Sequence, residues 1–405
     1  MAYQKVTKTS YGGRLKNALS GVGAGFLMLI IGTVLLFWNE GRTVKTTRML
    51  KEAQGVCVEL GDPAQVNSEV NGKMVHATGY ADTKDILTDG QFGISVNAVK
   101  LSRSTEFYQW VEHTSTTTKD KVGGGQETIT TYTYSKEWVS SPVNSSSFED
   151  PDYKGINNDV LLNLDDQNWQ AQNVSFGAYN LPEGLVSQMN NRVPVTVDLE
   201  PEVVDEYEAD FHKAFDVSAD KSFVHTSGNT IYLGVNPNNP TVGDVRVSYE
   251  KVLPGDVSIL AVANGNTFEK FTAKNGYSLM TLQDGTVAMD EMFETERQGN
   301  KTMGWILRIV GILLVVFGFR NIFDIITALL KVLPFLGNIA GLGVGLVAWV
   351  LGLVWSFVVI AIAWVAYRPV VGISLLVAAA ALIWFLSKKS KEKAAAEPAA
   401  PAAEA

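Results

Sequence analysis

The chain has 405 residues, 46% of them hydrophobic, and a formal net charge of −9. The acidic balance argues against a nucleic-acid-binding protein, because such proteins carry a concentrated basic surface. A single cysteine, Cys57, excludes an intramolecular disulfide, so any folded domain must be held together by core packing. Cys57 lies in the apolar segment VCVEL, which predicts a strand and a packing role for the thiol.

The first predicted element is a membrane-spanning helix over residues 17–39. This stretch carries no charged residue and is long enough to cross a bilayer, since about 20 apolar residues span the hydrocarbon core. With the basic segment of residues 1–16 before it, the stretch resembles a signal peptide. The apolar run is too long for that, and Phe37-Trp38-Asn39-Glu40 follows it in place of a cleavage site. We therefore expect a retained anchor.

Residues 42–300 predict a large extramembrane domain that is rich in β-strands. Apolar and polar residues alternate along it, which is typical of strands with one buried face. The segments 50–150 and 215–280 are possible halves of this domain, and two small β-barrels or sandwiches are the expected fold. Strands are predicted over residues 56–60, 74–80, 107–112, 128–138, 230–235, 243–252 and 257–263. Short helices are predicted over residues 183–190, 202–212 and 287–296.

A β-hairpin is predicted within this domain, formed by residues 106–113 and 128–138. The polar residues 114–127 between them are expected to form a mobile tip. The triple glycine of the tip, residues 123–125, lacks the Lys-Ser/Thr pair of a phosphate-binding loop and indicates flexibility instead.

The C-terminal part predicts three further membrane spans. They are residues 303–323, 341–366 and 370–387. An interfacial helix over residues 324–335 is expected after the first of them, because its apolar residues share one face and Pro334 ends it. The fold class is therefore a membrane protein of the α+β type, with one N-terminal and three C-terminal transmembrane helices and a β-rich extramembrane domain.

The charge distribution predicts the orientation of the chain. Four lysines follow the last span directly, which places the low-complexity, disordered tail of residues 388–405 in the cytoplasm by the positive-inside rule. Four spans put both termini on one side, so residues 1–16 are expected in the cytoplasm and residues 42–300 on the outer or lumenal side. The link Tyr367-Arg368-Pro369 is too short to leave the membrane surface, so the last two spans form a helical hairpin.

Two GxxxG motifs are candidate sites of helix packing. They are formed by Gly21 and Gly25 in the first span and by Gly341 and Gly345 in the third. Small residues at this spacing let helices approach closely in lipid, where dispersion and shape drive association. Together the two motifs favour a tight bundle or a homo-oligomer.

Three charged residues are predicted inside the membrane or at its interface: Arg308, Arg320 and Asp324. Arg308 lies near the outer end of its span, where its side chain can extend to the headgroups. Arg320 and Asp324 are four residues apart and can pair on a helix. At membrane depth, such a pair would mark a polar pathway or fix the register of the helices.

The sequence contains no recognisable catalytic or metal-binding motif. The four histidines (His76, His113, His212 and His225) lack the spacing of a zinc site, and the chain has no GxSxG elbow. The carboxylates of residues 200–208 match no calcium loop. They are interpreted as a solvated helix face, with divalent-cation binding as the alternative. We predict no catalytic residues, no cofactor and no metal site.

Six short strings together carry a family resemblance. In chain order they are FWNEGR (37–42), KMVHATG (73–79), YQWVE (108–112), YTYSKEW (132–138), VGDVRVSY (242–249) and YRP (367–369). With one span before the domain and three after it, the chain resembles the LUMA family of transmembrane proteins over roughly residues 17–388. The alanine-rich tail and the length of the hairpin tip fall outside the resemblance.

The resemblance implies a location and a kind of function. Animal relatives are proteins of the endoplasmic reticulum and inner nuclear membrane, which they organise by self-association and by binding other membrane proteins. Their large domain faces the lumen, and the family has no established catalytic residues. The tail composition and the lack of retention signals fit a bacterial source, in which the expected location is the plasma membrane.

The expected function is a non-enzymatic membrane scaffold that contacts the lipid bilayer, further copies of itself and other membrane proteins, but no nucleic acid. The alternative is a channel, a transporter component or an envelope-stress sensor, suggested by Arg308 and by the Arg320 and Asp324 charges. A membrane-bound hydrolase that uses the outer domain is a third hypothesis.

Overall fold

The protein is described by a computed structural model that covers residues 2–214, 221–331, 334–370 and 372–374. The chain divides into two compact units. The first contains residues 1–8, 49–119 and 127–296, and the second contains residues 9–48, 120–126 and 297–405. Each unit is therefore built from separated pieces of the chain.

Five α-helices occur in the described residues, and three of them are long and apolar enough to cross a membrane. The five are α1 (Tyr11–Val56), α2 (Glu183–Val186), α3 (Pro201–Ala214), α4 (Met289–Leu330) and α5 (Pro334–Tyr367). The candidate spans are α1, α4 and α5, where the sequence predicts four. The predicted fourth span, 370–387, lies largely outside the described residues, as does all of the predicted tail, 388–405.

The spanning helices are longer than the apolar stretches that predict them. α1 continues to Val56, so the residues expected to open the β-rich domain are helical. α4 runs without a break from Met289 to Leu330 and combines the predicted short helix, the predicted span and most of the predicted interfacial segment. The division at residue 324 between a span and an interfacial helix stays a prediction.

Nineteen β-strands occur in the described residues, and they include each of the predicted strands in whole or in part. They are β1 (Tyr3–Thr9), β2 (Val58–Glu59), β3 (Met74–Thr83), β4 (Ile86–Asp89), β5 (Ile94–Asn97), β6 (Lys100–Asp120), β7 (Gln126–Val139), β8 (Gln167–Gln170), β9 (Val174–Phe176), β10 (Tyr179–Asn180), β11 (Arg192–Pro194), β12 (Val224–Ser227), β13 (Thr230–Leu233), β14 (Val245–Val252), β15 (Gly255–Asn264), β16 (Thr267–Glu269), β17 (Phe271–Thr272), β18 (Ser278–Leu279) and β19 (Thr281–Asp284).

Two large sheets organise these strands. The eight-stranded sheet has the order β1-β7-β6-β14-β13-β12, with β8 also paired to β6 and β11 to β14. The seven-stranded sheet has the order β10-β9-β3-β15-β16, with β2 also paired to β3 and β19 to β15. In the first sheet β14 pairs antiparallel with β6, and in the second β15 pairs antiparallel with β3. Each of these pairs joins a strand from 50–150 to one from 215–280. The two predicted halves therefore do not form separate sheets.

Separate hydrophobic cores underlie the two sheets. The core of the eight-stranded sheet also contains a buried ion pair, in which Arg103 Nη1 lies 2.7 Å from Asp89 Oδ2. The Tyr249 hydroxyl donates to the same carboxylate oxygen at 2.6 Å. Burial, with the Asp89 carboxylate beside it, raises the pKa of the Tyr249 hydroxyl. The sequence predictions do not include this pair, because Asp89 and Arg103 lie on different strands whose pairing with each other no local pattern indicates.

A third core joins the seven-stranded sheet to the ends of two helices within the first unit. Leu50 and Ala53 of α1 pack with Met292 and Phe293 of α4 and with residues of the sheet. Cys57 is half-buried against this core, and burial together with the Glu59 carboxylate raises the pKa of its thiol to about 12. The thiol therefore has the packing role predicted from the sequence, although α1 occupies the first residue of the predicted strand.

The hairpin formed by β6 and β7 has a shorter tip than predicted. β6 continues to Asp120 and β7 begins at Gln126, so the turn occupies only residues 121–125. Threonine is common in the added strand residues, and its branched Cβ favours the extended conformation. Two of the three glycines, Gly123 and Gly124, have positive φ angles, so they form the tight turn.

Within the second unit, α1 and α4 pack closely through glycines spaced seven residues apart. A Cβ atom added to Gly25 of α1 would lie 2.7 Å from the carbonyl oxygen of Gly318 of α4. A Cβ atom added to Gly32 would lie 3.0 Å from the carbonyl oxygen of Gly311. Backbone atoms cannot move aside as a side chain can, so only glycine permits this approach. These four glycines form what we term the glycine interface.

Only some of the predicted packing glycines contact another helix among the described residues. Gly25 belongs to the glycine interface, whereas Gly21 and Gly345 have no heavy atom of the described residues within 4 Å of an added Cβ. A Cβ on Gly341 would meet only the Thr327 methyl group, at 3.5 Å. The GxxxG spacing therefore finds one glycine of the interface, and the spacing of seven identifies the rest.

α5 packs on the other two helices through a line of small buried residues. Ala348, Gly352 and Ser356 follow one another at intervals of four and are buried. A Cβ on Gly352 would lie 2.5 Å from the Cγ2 atom of Val316 in α4. These small residues therefore let α5 approach α4 closely, beside a core cluster that contains Leu36, Val315 and Ile360.

We predict that Gly25→Leu and Gly318→Leu lower the stability of the helix bundle, while Gly21→Leu does not. Overpacking a close contact costs about 1–3 kcal/mol or more, because the facing backbone cannot yield. Thermal unfolding of the detergent-solubilised protein, followed by circular dichroism, measures the difference. Equal melting temperatures for the Gly21 and Gly25 variants would show that the interface does not exist.

Candidate functional site: a buried charge cluster in the membrane helices

The candidate site begins with a carboxylate at the end of the first apolar stretch. Glu40 follows directly after residues 17–39, where the sequence suggests the end of a span. Because α1 continues to Val56, Glu40 lies in the middle of a helix, and its side chain has no exposed surface. A charge so placed is costly unless it is paired and hydrogen-bonded.

Glu40 is paired with an arginine of α4 and a tryptophan of α5. Arg308 Nε lies 2.5 Å from Oε1 of Glu40, and Arg308 Nη2 lies 2.8 Å from Oε2. Trp364 Nε1 donates to Oε2 at 2.8 Å. The Arg308 guanidinium also lies over the ring of Trp305, 4.9 Å from its centroid. We name Glu40, Arg308 and Trp364 the Glu40 cluster.

Polar side chains next to the Glu40 cluster bond the backbones of the same helices. The amide nitrogen of Asn39 donates to the carbonyl of Gly304 at 2.9 Å. The amide nitrogen of Asn300 donates to the carbonyl of Thr43 at 3.0 Å. Both asparagines are buried. They connect α1 to α4 on the same side of the Glu40 cluster.

The YRP string meets the same region of α1. The ring of Tyr367 contacts Gly41, where an added Cβ would lie 2.7 Å from the ring carbon Cζ. The ring of Phe37 lies 5.4 Å from that of Tyr367, and Arg48 Nη2 donates to the Tyr367 carbonyl at 2.9 Å. The FWNEGR and YRP strings, which carry the family resemblance, therefore meet in one packed site.

The chemistry of the Glu40 cluster is that of a structural connection. Both carboxylate oxygens accept bonds from protein groups, and the side chain is fully buried, so no position is left for a substrate. The bidentate geometry is the strongest form of an arginine–carboxylate pair. Breaking a buried pair leaves an uncompensated charge and costs about 3–5 kcal/mol.

The outcomes for the three predicted charges differ. The Arg308 side chain is 14% exposed and bonds Glu40, so it does not simply extend to the headgroups. Arg320 and Asp324 are both exposed, and no ion pair joins them among the described residues. The expected i,i+4 pair is not formed. The sequence does not single out Glu40, because it directly follows the apolar stretch and resembles an ordinary flanking charge.

A second charged cluster lies at the beginning of α1 and the end of α4. Arg14 Nη1 lies 2.7 Å from Asp120 Oδ1 and donates to the Gly124 carbonyl at 3.2 Å. The other oxygen of Asp120 lies 3.2 Å from Lys331 Nζ. Asp120 is the last residue of β6 and Gly124 lies in the turn, so the end of the hairpin contacts both helices.

These contacts differ from the orientation predicted from charge. The charge rule places residues 1–16 and 42–300 on opposite sides of the membrane, yet β1 belongs to the same sheet as β7, and the tip contacts Arg14. Four basic residues precede the first span and four follow it closely, so these flanks give the rule no preference. The predicted orientation therefore depends on the C-terminal lysines alone. On which side of the membrane the β-rich domain lies stays a prediction.

The histidines do not form a common site. His76 is buried and bonded to Glu59 at 2.8 Å and to the Val287 carbonyl at 2.9 Å, while His113 is exposed and His225 is partly exposed. His212 lies 3.6 Å from Glu208 on α3. Among the described residues, no group of three or more His, Cys, Asp or Glu side chains is placed to hold a metal ion.

The acidic run at α3 is mostly solvated, but Glu208 has a structural role. Its carboxylate accepts the backbone N–H groups of Phe223 and Val224 at 2.8 and 2.9 Å, and it also accepts the Ser222 hydroxyl. Burial opposes ionisation of Glu208, but these hydrogen bonds outweigh it and lower the pKa of the carboxyl. Glu208 therefore fixes the start of β12.

The three apolar helices and the β-rich domain define a multi-pass membrane protein of the α+β class. Residues 107–369 match the family model described as Transmembrane protein 43. The chain belongs to this family, which is the LUMA family that the six strings indicate, so that prediction is confirmed. It is not a known enzyme family.

The relatives match over most of their length. Transmembrane protein 43 of Homo sapiens is 28% identical over 389 residues, which cover 93% of this chain and 92% of the relative. The Rattus norvegicus protein is 28% identical over 367 residues, covering 88% and 86%. The Drosophila melanogaster homolog is 28% identical over 378 residues, covering 89% and 93%. No solved structure matches the chain.

We predict that Arg308→Gln destabilises the helix bundle strongly, while Arg320→Gln on the same helix does not. The first substitution leaves the buried Glu40 carboxylate without its partner, at a cost of about 3–5 kcal/mol. The second removes an exposed charge that has no ion pair in the described part of the chain. Thermal unfolding in detergent compares the two variants with the parent, and equal losses would refute the pairing.

We predict that a short thiol-to-thiol cross-linker joins Arg14→Cys to Asp120→Cys in a Cys57→Ala background. The ion pair at 2.7 Å holds these positions together. The control combines Asp120→Cys with Lys301→Cys, since Lys301 lies about 45 Å along α4 from Lys331 at 1.5 Å per residue. Peptide mass spectrometry of the monomer band detects the link. No link in the Arg14 pair would favour the charge-based arrangement over these contacts.

Proposed function

We propose that the protein is a non-enzymatic integral-membrane scaffold that self-associates through its helices. The observation that carries this proposal is the contrast between two sets of glycines. Gly25 and Gly318 pack against each other's helix within the chain. A Cβ atom added to Gly343 or Gly345 on α5 would have no heavy atom of the described residues within 4 Å. A glycine in a helix costs about 1 kcal/mol relative to alanine, so glycines that no neighbour within the described chain requires favour a use between molecules.

The rigid attachment of the three helices supports a scaffold. The Glu40 cluster and the glycine interface fix α1, α4 and α5 against each other by charge and by backbone contact. A fixed bundle presents the same outer surface to every partner. The partners proposed for that surface are further copies of the chain and other membrane proteins.

The state of Arg308 favours the scaffold over a channel or transporter. A residue of a conduction pathway needs contact with water or solute, but the Arg308 charge is neutralised by Glu40 and covered by Trp305. Its position was one motivation for the channel hypothesis. That motivation is removed, because the charge belongs to the packing of the bundle.

The proposed location follows from the family. In an animal cell the scaffold would lie in the endoplasmic reticulum and inner nuclear membrane, and in a bacterium it would lie in the plasma membrane. Its proposed task is to organise membrane proteins by lateral contact.

The mass of the detergent-solubilised protein tests self-association. Light scattering is expected to give a dimer or larger assembly for the parent chain, and a monomer for Gly343→Leu combined with Gly345→Leu. Gly299→Leu is the matched control, since Gly299 is equally open but lies outside the apolar part of α4. A parent chain that is strictly monomeric at all concentrations would refute the proposal.

A further inference from the structure

A polar cleft between α1 and α4 has the composition of a headgroup site. The cleft has a volume of about 220 Å³ and is lined by Arg14, Asn321, Asp324, Thr327 and Lys331, among others. A neighbouring cleft of about 440 Å³ shares Asp324, Thr327 and Lys331 and adds Arg320. All of these residues belong to the second unit. We propose that the two adjoining clefts, together termed the cleft below, bind the phosphate headgroup of an anionic phospholipid.

The position of the cleft along the helices fits such a ligand. Arg14 precedes the apolar stretch of α1, and Arg320 ends the apolar stretch of α4 that begins at Met303. The cleft therefore lies where the helices leave the hydrocarbon core, which is the depth of the lipid phosphates. The exposed side chain of Leu342 also lines the neighbouring cleft and offers apolar contact to an acyl chain.

The charge of the cleft selects an anion. The carboxylate of Asp120 lies 2.7 Å from Arg14 and 3.2 Å from Lys331, so a single negative charge is shared by two positive charges. Arg320 and Asp324, both exposed, add one charge of each sign without forming an ion pair in the described part of the chain. Three cations and two carboxylates therefore lie in or beside the two adjoining clefts. The net charge of one positive matches one phosphodiester.

Thr327 supplies an independent indication of a ligand. The residue is 4% exposed and lines both clefts, and its buried hydroxyl has no hydrogen-bond partner among the described residues. A buried hydroxyl without a partner is unfavourable, because it has lost its bonds to water. A phosphate oxygen in the cleft would accept this hydroxyl in a charge-assisted bond.

Native mass spectrometry of the full-length protein in a neutral detergent tests the proposal. The probes are dioleoylphosphatidylglycerol and dioleoylphosphatidylcholine, which differ in net charge but not in acyl chains. The parent protein is expected to retain phosphatidylglycerol about tenfold more tightly, since each basic residue near the lipid charge contributes roughly fivefold. Equal retention of the two lipids would overturn the proposal.

Variants assign the binding to the cleft. Arg320→Gln is expected to weaken phosphatidylglycerol binding about fivefold, and it should fold normally because the side chain is exposed. Thr327→Val is expected to weaken binding about tenfold through the lost hydrogen bond to the phosphate. Lys301→Gln, an exposed lysine at the other end of α4, is the matched control and should bind as the parent does. If Arg320→Gln and Lys301→Gln behave alike, the cleft is not the site.

The same measurement separates a lipid from a free anion. Millimolar inorganic phosphate should leave phosphatidylglycerol bound, because it lacks the acyl chains that contact the helices. Displacement of the lipid by inorganic phosphate would overturn the assignment to a lipid headgroup.

Discussion

The rest of the membrane bundle depends on one constraint, the need to neutralise the buried carboxylate of Glu40. In a low-dielectric environment, an unpaired carboxylate is too costly to keep. Arg308 and Trp364 satisfy both of its oxygens, and they come from two different helices. Neither α4 nor α5 can shift along α1 without breaking these bonds, so the Glu40 cluster fixes the register of all three helices.

That register explains contacts along the whole length of α1 and α4. The antiparallel arrangement that places Glu40 beside Arg308 also places Gly25 against Gly318. Glycines permit the close approach, while the charge pair sets which residues meet. The glycine interface supplies contact area without a hydrophobic driving force, which is absent between helices in lipid. Charge and shape therefore specify one arrangement together.

Much of the fold could be predicted from local sequence, because local patterns determine it. The apolar stretches located the three described spans, and alternation located β3, β14 and β15. The ends of the helices were harder to predict, because α1 and α4 continue as helices beyond their apolar stretches and through polar residues. The mixing of the two predicted halves into common sheets also escaped prediction, since strand pairing joins residues more than a hundred positions apart.

The candidate site shows the same division. Arg308 stood out as a charge within an apolar stretch, and the FWNEGR and YRP strings marked the region. Its partner Glu40 did not stand out, because the sequence alone gives no contact between positions 268 residues apart. Thr327 could not be singled out at all, since an unpartnered hydroxyl is a property of its surroundings. A sequence pattern can predict which residues of one helix share a face. It does not predict which residues of different helices contact each other, and for that the structure is needed.

A double-mutant cycle on Glu40 and Arg308 tests the central claim most directly. The stabilities of Glu40→Gln, Arg308→Gln and the double variant are measured by unfolding in the same detergent. If the two side chains form the pair that fixes the bundle, the double variant loses much less than the sum of the single losses, with a coupling of about 2–3 kcal/mol. Additive losses would show that each side chain acts alone, and would contradict the account.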